Sequence, residues 1–169
     1  MERLILMRHG DAERPEPGTQ DFDRGLTSEG RAESRAVGRA LADAGFAPDL
    51  ALVSGARRTA ETWREAADAF AGATAEPDES LYAASSARLA AAARAAGSRA
   101  RTLMVIGHNP GIHQFALHLA HQSGATPEQT RPLYERFPTG SAAVFRIGED
   151  ARPAFERLFL AKTFRKAGA

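Results

Sequence analysis

Hydrophobic positions in this chain follow two rhythms. Short continuous apolar runs at Leu4–Met7, Leu50–Val53 and Leu103–Ile106 have the pattern of strands buried on both faces. Between them, apolar residues recur at helical spacing. Ala32, Ala36, Val37, Ala40, Leu41 and Ala44 follow Thr27, an expected N-cap, and stop at Gly45. Ala60, Trp63, Ala67 and Phe70 make a second apolar stripe before Gly72, and Leu89, Ala92, Ala93 and Ala96 a third, from a cap at Ser86 to Gly97. A fourth, with Ile112, Phe115, Ala116, Leu119 and Ala120, runs to about Gln122.

Elsewhere the rhythm is weaker. Residues 73–80 suggest a short strand at Ala73–Ala75 and then an acidic stretch, while 123–139 read mostly as loop. Ser141–Ile147 and Ala154–Ala161 read as an antiparallel hairpin turning at Gly148-Glu149-Asp150. Strands alternating with helices predict an α/β fold, a three-layer α/β/α sandwich on a largely parallel central sheet.

Composition narrows this picture by exclusion. A chain of 169 residues fits one domain, 1–169, with room for a proper core. The net charge is +1 and the cationic residues are scattered among acidic ones, so no nucleic-acid partner is expected. Cysteine is absent, which excludes disulfides and thiolate nucleophiles. No apolar run is long enough for a membrane span and no signal peptide is evident, so the expectation is a cytoplasmic protein with no membrane partner.

The chemistry gathers where strands are expected to end. The first runs into Arg8-His9-Gly10, with Gly10 read as backbone freedom for the bend; the second ends at Ser54, four residues before Arg58; the third ends at Gly107-His108-Asn109-Pro110. In open α/β sheets the carboxyl edge is where ligands bind. A phosphoryl group in transfer spreads charge over its oxygens, so guanidinium groups, a second histidine and the N-terminus of a helix answer its needs. Arg57 competes with Arg58 for this place.

Arg8-His9-Gly10-Asp11-Ala12, Leu26-Thr27-x-x-Gly30, Ser54-x-x-x-Arg58 with Thr59 and Thr62, and Gly107-His108-Asn109-Pro110 together resemble the histidine phosphatase superfamily, of phosphoglycerate mutase-like fold. Within it they are similar in particular to the SixA-type phosphohistidine phosphatases. The resemblance implies that His9 is the phosphorylated nucleophile and that Arg8, Arg58 and His108 form the phosphate pocket, with no cofactor and no metal. His9 then needs a neutral attacking nitrogen, its other nitrogen donating to a backbone carbonyl, whereas His108 is more useful protonated. Ser54 and Asn109 are expected to add polar groups that bind substrate. Arg24 is a third candidate, with a solvated loop charge as its alternative.

One departure bears on substrate. Larger superfamily members carry an acidic residue near Leu81-Tyr82-Ala83-Ala84-Ser85, and none stands there, although Asp11, Glu13 and Glu79 are possible substitutes. An alkoxide leaving group needs a proton, whereas an imidazole, with a reference pKa of about 6.5, can be protonated from solvent. The missing acid therefore favours a phosphorylated protein domain carrying phosphohistidine, or another activated phosphoryl donor, over a sugar phosphate. A small phosphorylated metabolite is the alternative, as is a phosphate- or phosphoprotein-binding module without turnover. His113, His118 and His121 lie opposite the apolar face of their helix and read as solvated, not as metal ligands.

Overall fold

In the computed structural model, which describes residues 1–165, six strands form one sheet in the order β3-β2-β4-β1-β5-β6. The last four positions of the expected 1–169 domain lie outside the described residues. The strands are β1 (Arg3–Arg8), β2 (Leu50–Ser54), β3 (Thr74–Asp78), β4 (Thr102–Gly107), β5 (Ala142–Ile147) and β6 (Pro153–Phe159). The first four run parallel, and β5 and β6 close the sheet antiparallel.

Alternation along the strands builds the two helical layers. Leu4, Leu6, Leu52, Leu103 and Val105 face α3 (Ser86–Ala96), α4 (Gly111–Gln122) and α5 (Pro127–Glu135), meeting Leu89, Ile112, Phe115 and Leu133. Ile5, Met7, Ala51, Val53, Met104 and Ile106 face α1 (Ser28–Asp43), α2 (Arg57–Ala67) and α6 (Ala161–Arg165), meeting Val37, Leu41 and Ala66. Each fully buried Leu or Ile contributes about 1.5–3 kcal/mol. The result is the expected three-layer sandwich, phosphoglycerate mutase-like, and register decides what it presents. Arg8 pairs with Gly107 and Val53 with Ile106, so Arg8-His9, Ser54 and His108 emerge at one edge of the sheet.

Local details depart from expectation. Thr27 caps α1 as predicted, its hydroxyl 3.0 Å from the Gly30 amide, but α3 is capped by Ser85 and not Ser86. The expected short strand runs on into the acidic stretch as far as Asp78, because Leu50–Ser54 offers it a partner along that length. The last strand ends at Phe159, and Ala161 begins α6. The region expected to be loop contains α5, opened by a capping box in which Thr126 and Gln129 satisfy each other's backbone amides and Pro127 stands in the first turn. His113 is also not simply solvated: its Nε2 lies 2.7 Å from the Leu133 carbonyl and its ring stacks on Phe137. His118 and His121 are exposed, as expected.

Gly10 is required for space and not for conformational freedom. Its φ is not positive, but a Cβ there would lie 2.4 Å from the Gly30 carbonyl oxygen, and a Cβ on Gly30 would lie 2.0 Å from that of Asp11. The start of α1 thus packs directly on the turn after β1. Gly30→Ala is expected to destabilise the fold by about 1–3 kcal/mol or more through backbone displacement. Urea unfolding checks this, and an unchanged midpoint would contradict the packing argument.

Candidate active site

His9 lies just beyond β1, 7 % exposed, with Nδ1 2.7 Å from the carbonyl oxygen of Gly10. A carbonyl can only accept, so Nδ1 carries the proton and Nε2 keeps a free lone pair. This is the tautomer that a nucleophilic role requires. The turn is fixed from both sides: the Gly10 amide donates to Thr62 Oγ1 at 3.0 Å, and the Asp11 amide donates to Glu33 Oε2 at 3.0 Å. Burial, reinforced by the charges of Arg58, Arg8 and Arg24 against the Gly10 bond, lowers the His9 pKa to about 4.

His108 faces it, with ring centroids 5.1 Å apart. Its Nε2 is 2.8 Å from Ser54 Oγ. Burial first, then His9 and Arg58, push the His108 pKa down to about 3, with Asp21 pulling weakly the other way. Both rings are therefore neutral near pH 7.

The guanidinium groups close the remaining sides. Arg8 Nη1 donates to the Phe137 carbonyl at 3.0 Å, and Asn109 Nδ2 donates to the same oxygen at 3.0 Å. Arg58, its side chain 6 % exposed, donates from Nη1 to the Asp21 carbonyl at 2.6 Å and from Nη2 to the Asp21 carboxylate at 2.9 Å. Arg57 is not in this group; it is mostly exposed and ion-paired to Glu61 at 2.8 Å. Arg24 is not a solvated loop charge, because it binds Asp21 Oδ1 and the Glu13 carbonyl at the rim of Arg58.

Among the described residues, three of these side chains keep buried polar nitrogens without partners: Arg8 Nε, Arg58 Nε and His108 Nδ1. Buried polar groups are normally satisfied, and an orphaned guanidinium N–H is costly.

Several contributors gave no recognisable sequence signal. The Phe137 carbonyl follows the unforeseen α5, Glu33 resembles any helix carboxylate, and Asp21 lies in a polar loop. Tyr82 stands in the stretch where larger members of the family carry an acid, its ring edge-on to His108 at 5.5 Å and its hydroxyl donating to Asp21 at 2.6 Å. Among the suggested acid substitutes, Asp11 accepts from Thr27 Oγ1 at 2.8 Å, whereas Glu13 and Glu79 are exposed. Hydrogen bonds to Tyr82 and Arg58 hold the Asp21 carboxyl down at about 2, so it carries no proton at neutral pH.

The two histidines imply a pH-dependent stability. Their proton affinity is lower in the folded than in the unfolded protein, so the unfolded state binds more protons below about pH 6.5. Stability present above that value is lost as pH falls towards 4, at about 1.4 kcal/mol per tenfold difference in affinity. Urea unfolding from pH 7 to 4 should show this fall, reduced in His108→Asn; an identical fall in both proteins would assign it to other groups.

Known proteins similar to this chain point to one family. Residues 4–84 match the histidine phosphatase superfamily (branch 1). An uncharacterised protein of Mycobacterium tuberculosis strain H37Rv is 33 % identical over 141 residues, 83 % of this chain and 87 % of its own. The crystal structure of a candidate phosphohistidine phosphatase SixA from Agrobacterium tumefaciens superposes with TM-score 0.81 and 30 % identity, covering 94 % of this chain and 97 % of that one. A protein histidine phosphatase SixA complexed with tungstate shares the fold at TM-score 0.78 and 24 % identity, over 95 % of this chain and 98 % of the other. Among the described residues no helix is long and apolar enough to cross a membrane. The chain belongs to the histidine phosphatase superfamily, whose members include phosphatases.

Proposed function

We propose that this protein removes phosphate from protein phosphohistidine through a covalent intermediate on His9, without a metal. The observation that carries this reading is the His9 ring, fixed by the Gly10 carbonyl with Nε2 free, facing the His108 ring at 5.1 Å and lying in the field of Arg58 and Arg8. In the first step His9 Nε2 attacks phosphorus, a P–N bond to the substrate imidazole breaks, and that imidazole leaves with a proton taken from solvent. One P–N bond replaces another, so the exchange is nearly balanced. Arg8 and Arg58 receive the charge on the equatorial oxygens. His108 contributes as a neutral donor: with the Ser54 hydroxyl donating to Nε2, the ring proton lies on Nδ1.

In the second step water attacks phosphorus, the bond to His9 breaks, and the proton released by water passes to Nε2 or to the departing phosphate. Ser54 then acts through His108, and Asn109 through the carbonyl it shares with Arg8. Support for an imidazole leaving group comes from Asp21, the carboxylate bonded to Arg58, being ionised and so unable to protonate an alkoxide. The 30 % identity to the Agrobacterium protein agrees with this reading.

The experiment is phosphate release, with EDTA present, from a phosphohistidine-bearing protein and from a panel of sugar phosphates. Preferential, His9-dependent release from phosphohistidine supports the reading. Preference for the monoesters would overturn the substrate assignment, and saturable phosphate binding without release would leave a binding module.

A further inference from the structure

The exposure of the pocket residues defines an inside and an outside. His9, His108 and Arg58 are 5–7 % exposed, whereas the side chain of Asp21 is 49 % exposed, so Asp21 stands at the mouth. It is firmly seated there. Its carboxylate receives hydrogen bonds from Arg58 Nη2 at 2.9 Å and Tyr82 Oη at 2.6 Å on one oxygen. On the other it receives Arg24 Nε at 2.9 Å, with Arg24 Nη2 at 2.8 Å beside it. Its own carbonyl takes a further bond from Arg58, and the adjacent Phe22 packs edge-on against Tyr82 with centroids 5.0 Å apart. So many donors on a half-exposed carboxylate describe an anion site filled by the protein's own anion.

We propose that Asp21 is a specificity-determining residue of this pocket, neutralising Arg24 and Arg58 at the mouth so that phosphates bearing a second anionic group are disfavoured. The proposal rests on the reading of the pocket as a phosphoryl site and adds what surrounds the phosphoryl group. Asp21 engages Nη1 and Nη2 of Arg58 and leaves Arg8, held by the Phe137 carbonyl, and His108 to the phosphoryl group. A substituent on that group must point outward, past Asp21. There a neutral or cationic group, such as a departing imidazole, meets a carboxylate without repulsion, and a carboxylate meets repulsion.

The balance is held by one residue. Arg24 commits Nε and Nη2 to Asp21 and Nη1 to the Glu13 carbonyl, so its charge is countered while Asp21 is ionised. Removing the Asp21 charge uncovers two guanidinium groups at the rim. The substitution Asp21→Asn keeps the shape and an acceptor oxygen while removing the charge, and the site lies in a polar surface segment outside both core clusters.

The test compares binding of methyl phosphate and phosphoglycolate, two small phosphates of which only the second carries a carboxylate, by calorimetry on wild type, Asp21→Asn and Asp21→Asn/Arg24→Gln. The proposal predicts that Asp21→Asn tightens phosphoglycolate about tenfold more than methyl phosphate, the size expected of one charge a few ångströms away at a protein surface. It further predicts that adding Arg24→Gln removes most of that gain. An equal change for both compounds, in either direction, would show that Asp21 only positions Arg58 and would overturn the proposal. Failure of wild type to bind methyl phosphate would instead overturn the phosphoryl pocket itself, an outcome distinct from an unchanged ratio.

Discussion

His9→Ala is expected to lower phosphate release by at least about 10⁴-fold on every substrate the wild type accepts, and to abolish any phosphorylated form of the protein. The size follows from what is removed. The other pocket groups position and stabilise a phosphoryl group, but none supplies an uncharged nitrogen lone pair fixed by a backbone carbonyl as Gly10 fixes His9. Loss of fold would not imitate this effect. The variant removes a buried group that resists protonation, so its acid stability should rise relative to wild type while its activity falls. Residual turnover within tenfold of wild type would show that phosphate passes directly to water and that His9 is not the nucleophile.

Arg58→Ala should have the second largest effect, a fall of about 10²–10³-fold in kcat, the usual cost of removing one aimed donor from a transition state. Arg58 stands in the first turn of α2, 5 % exposed, where amide groups and the helix dipole already favour an anion. Its Nη atoms are held by Asp21 and its Nε is left over, so the guanidinium is oriented before any ligand arrives. Arg58→Lys keeps the charge but not the fork. It should recover only a small part of the loss, because a single ammonium cannot both hold Asp21 and reach the phosphoryl oxygens. Steady-state kinetics of the two variants decide the matter; near wild-type kcat in Arg58→Lys would reduce the residue to a bulk charge.

The sequence reveals what is periodic or chemically unusual. Three apolar runs ending in Arg8-His9, Ser54 and His108 are legible because buried parallel strands have no polar face, and the strand register then places those ends together. Arg58 is legible from its four-residue step past Ser54. The helix Pro127–Glu135 is not, because among these residues only Thr130 and Leu133 are buried and the apolar stripe is too sparse to register. Its capping signature, Thr126-Pro127-x-Gln129, is present and is the one usable signal.

The contacts made just beyond that helix are equally hidden. The Phe137 carbonyl that orients Arg8 is a backbone atom, and no side-chain pattern announces it. The charge of His108 is not legible because its ionisation depends on burial beside His9 and Arg58, a consequence of three segments meeting. Asp21 illustrates the same difficulty. In the sequence it is one acidic residue in a polar loop, and only the fold brings it onto Arg58, Arg24 and Tyr82.

Whether a phosphoryl group is carried on His9 is decided by rapid quench with a ³²P-labelled phosphohistidine protein. The expected result is up to one label per chain, formed no more slowly than phosphate is released, stable to alkali, labile to acid and located on His9 by peptide mapping. Phosphate release with no labelled enzyme at any time, or label on another residue, would contradict it.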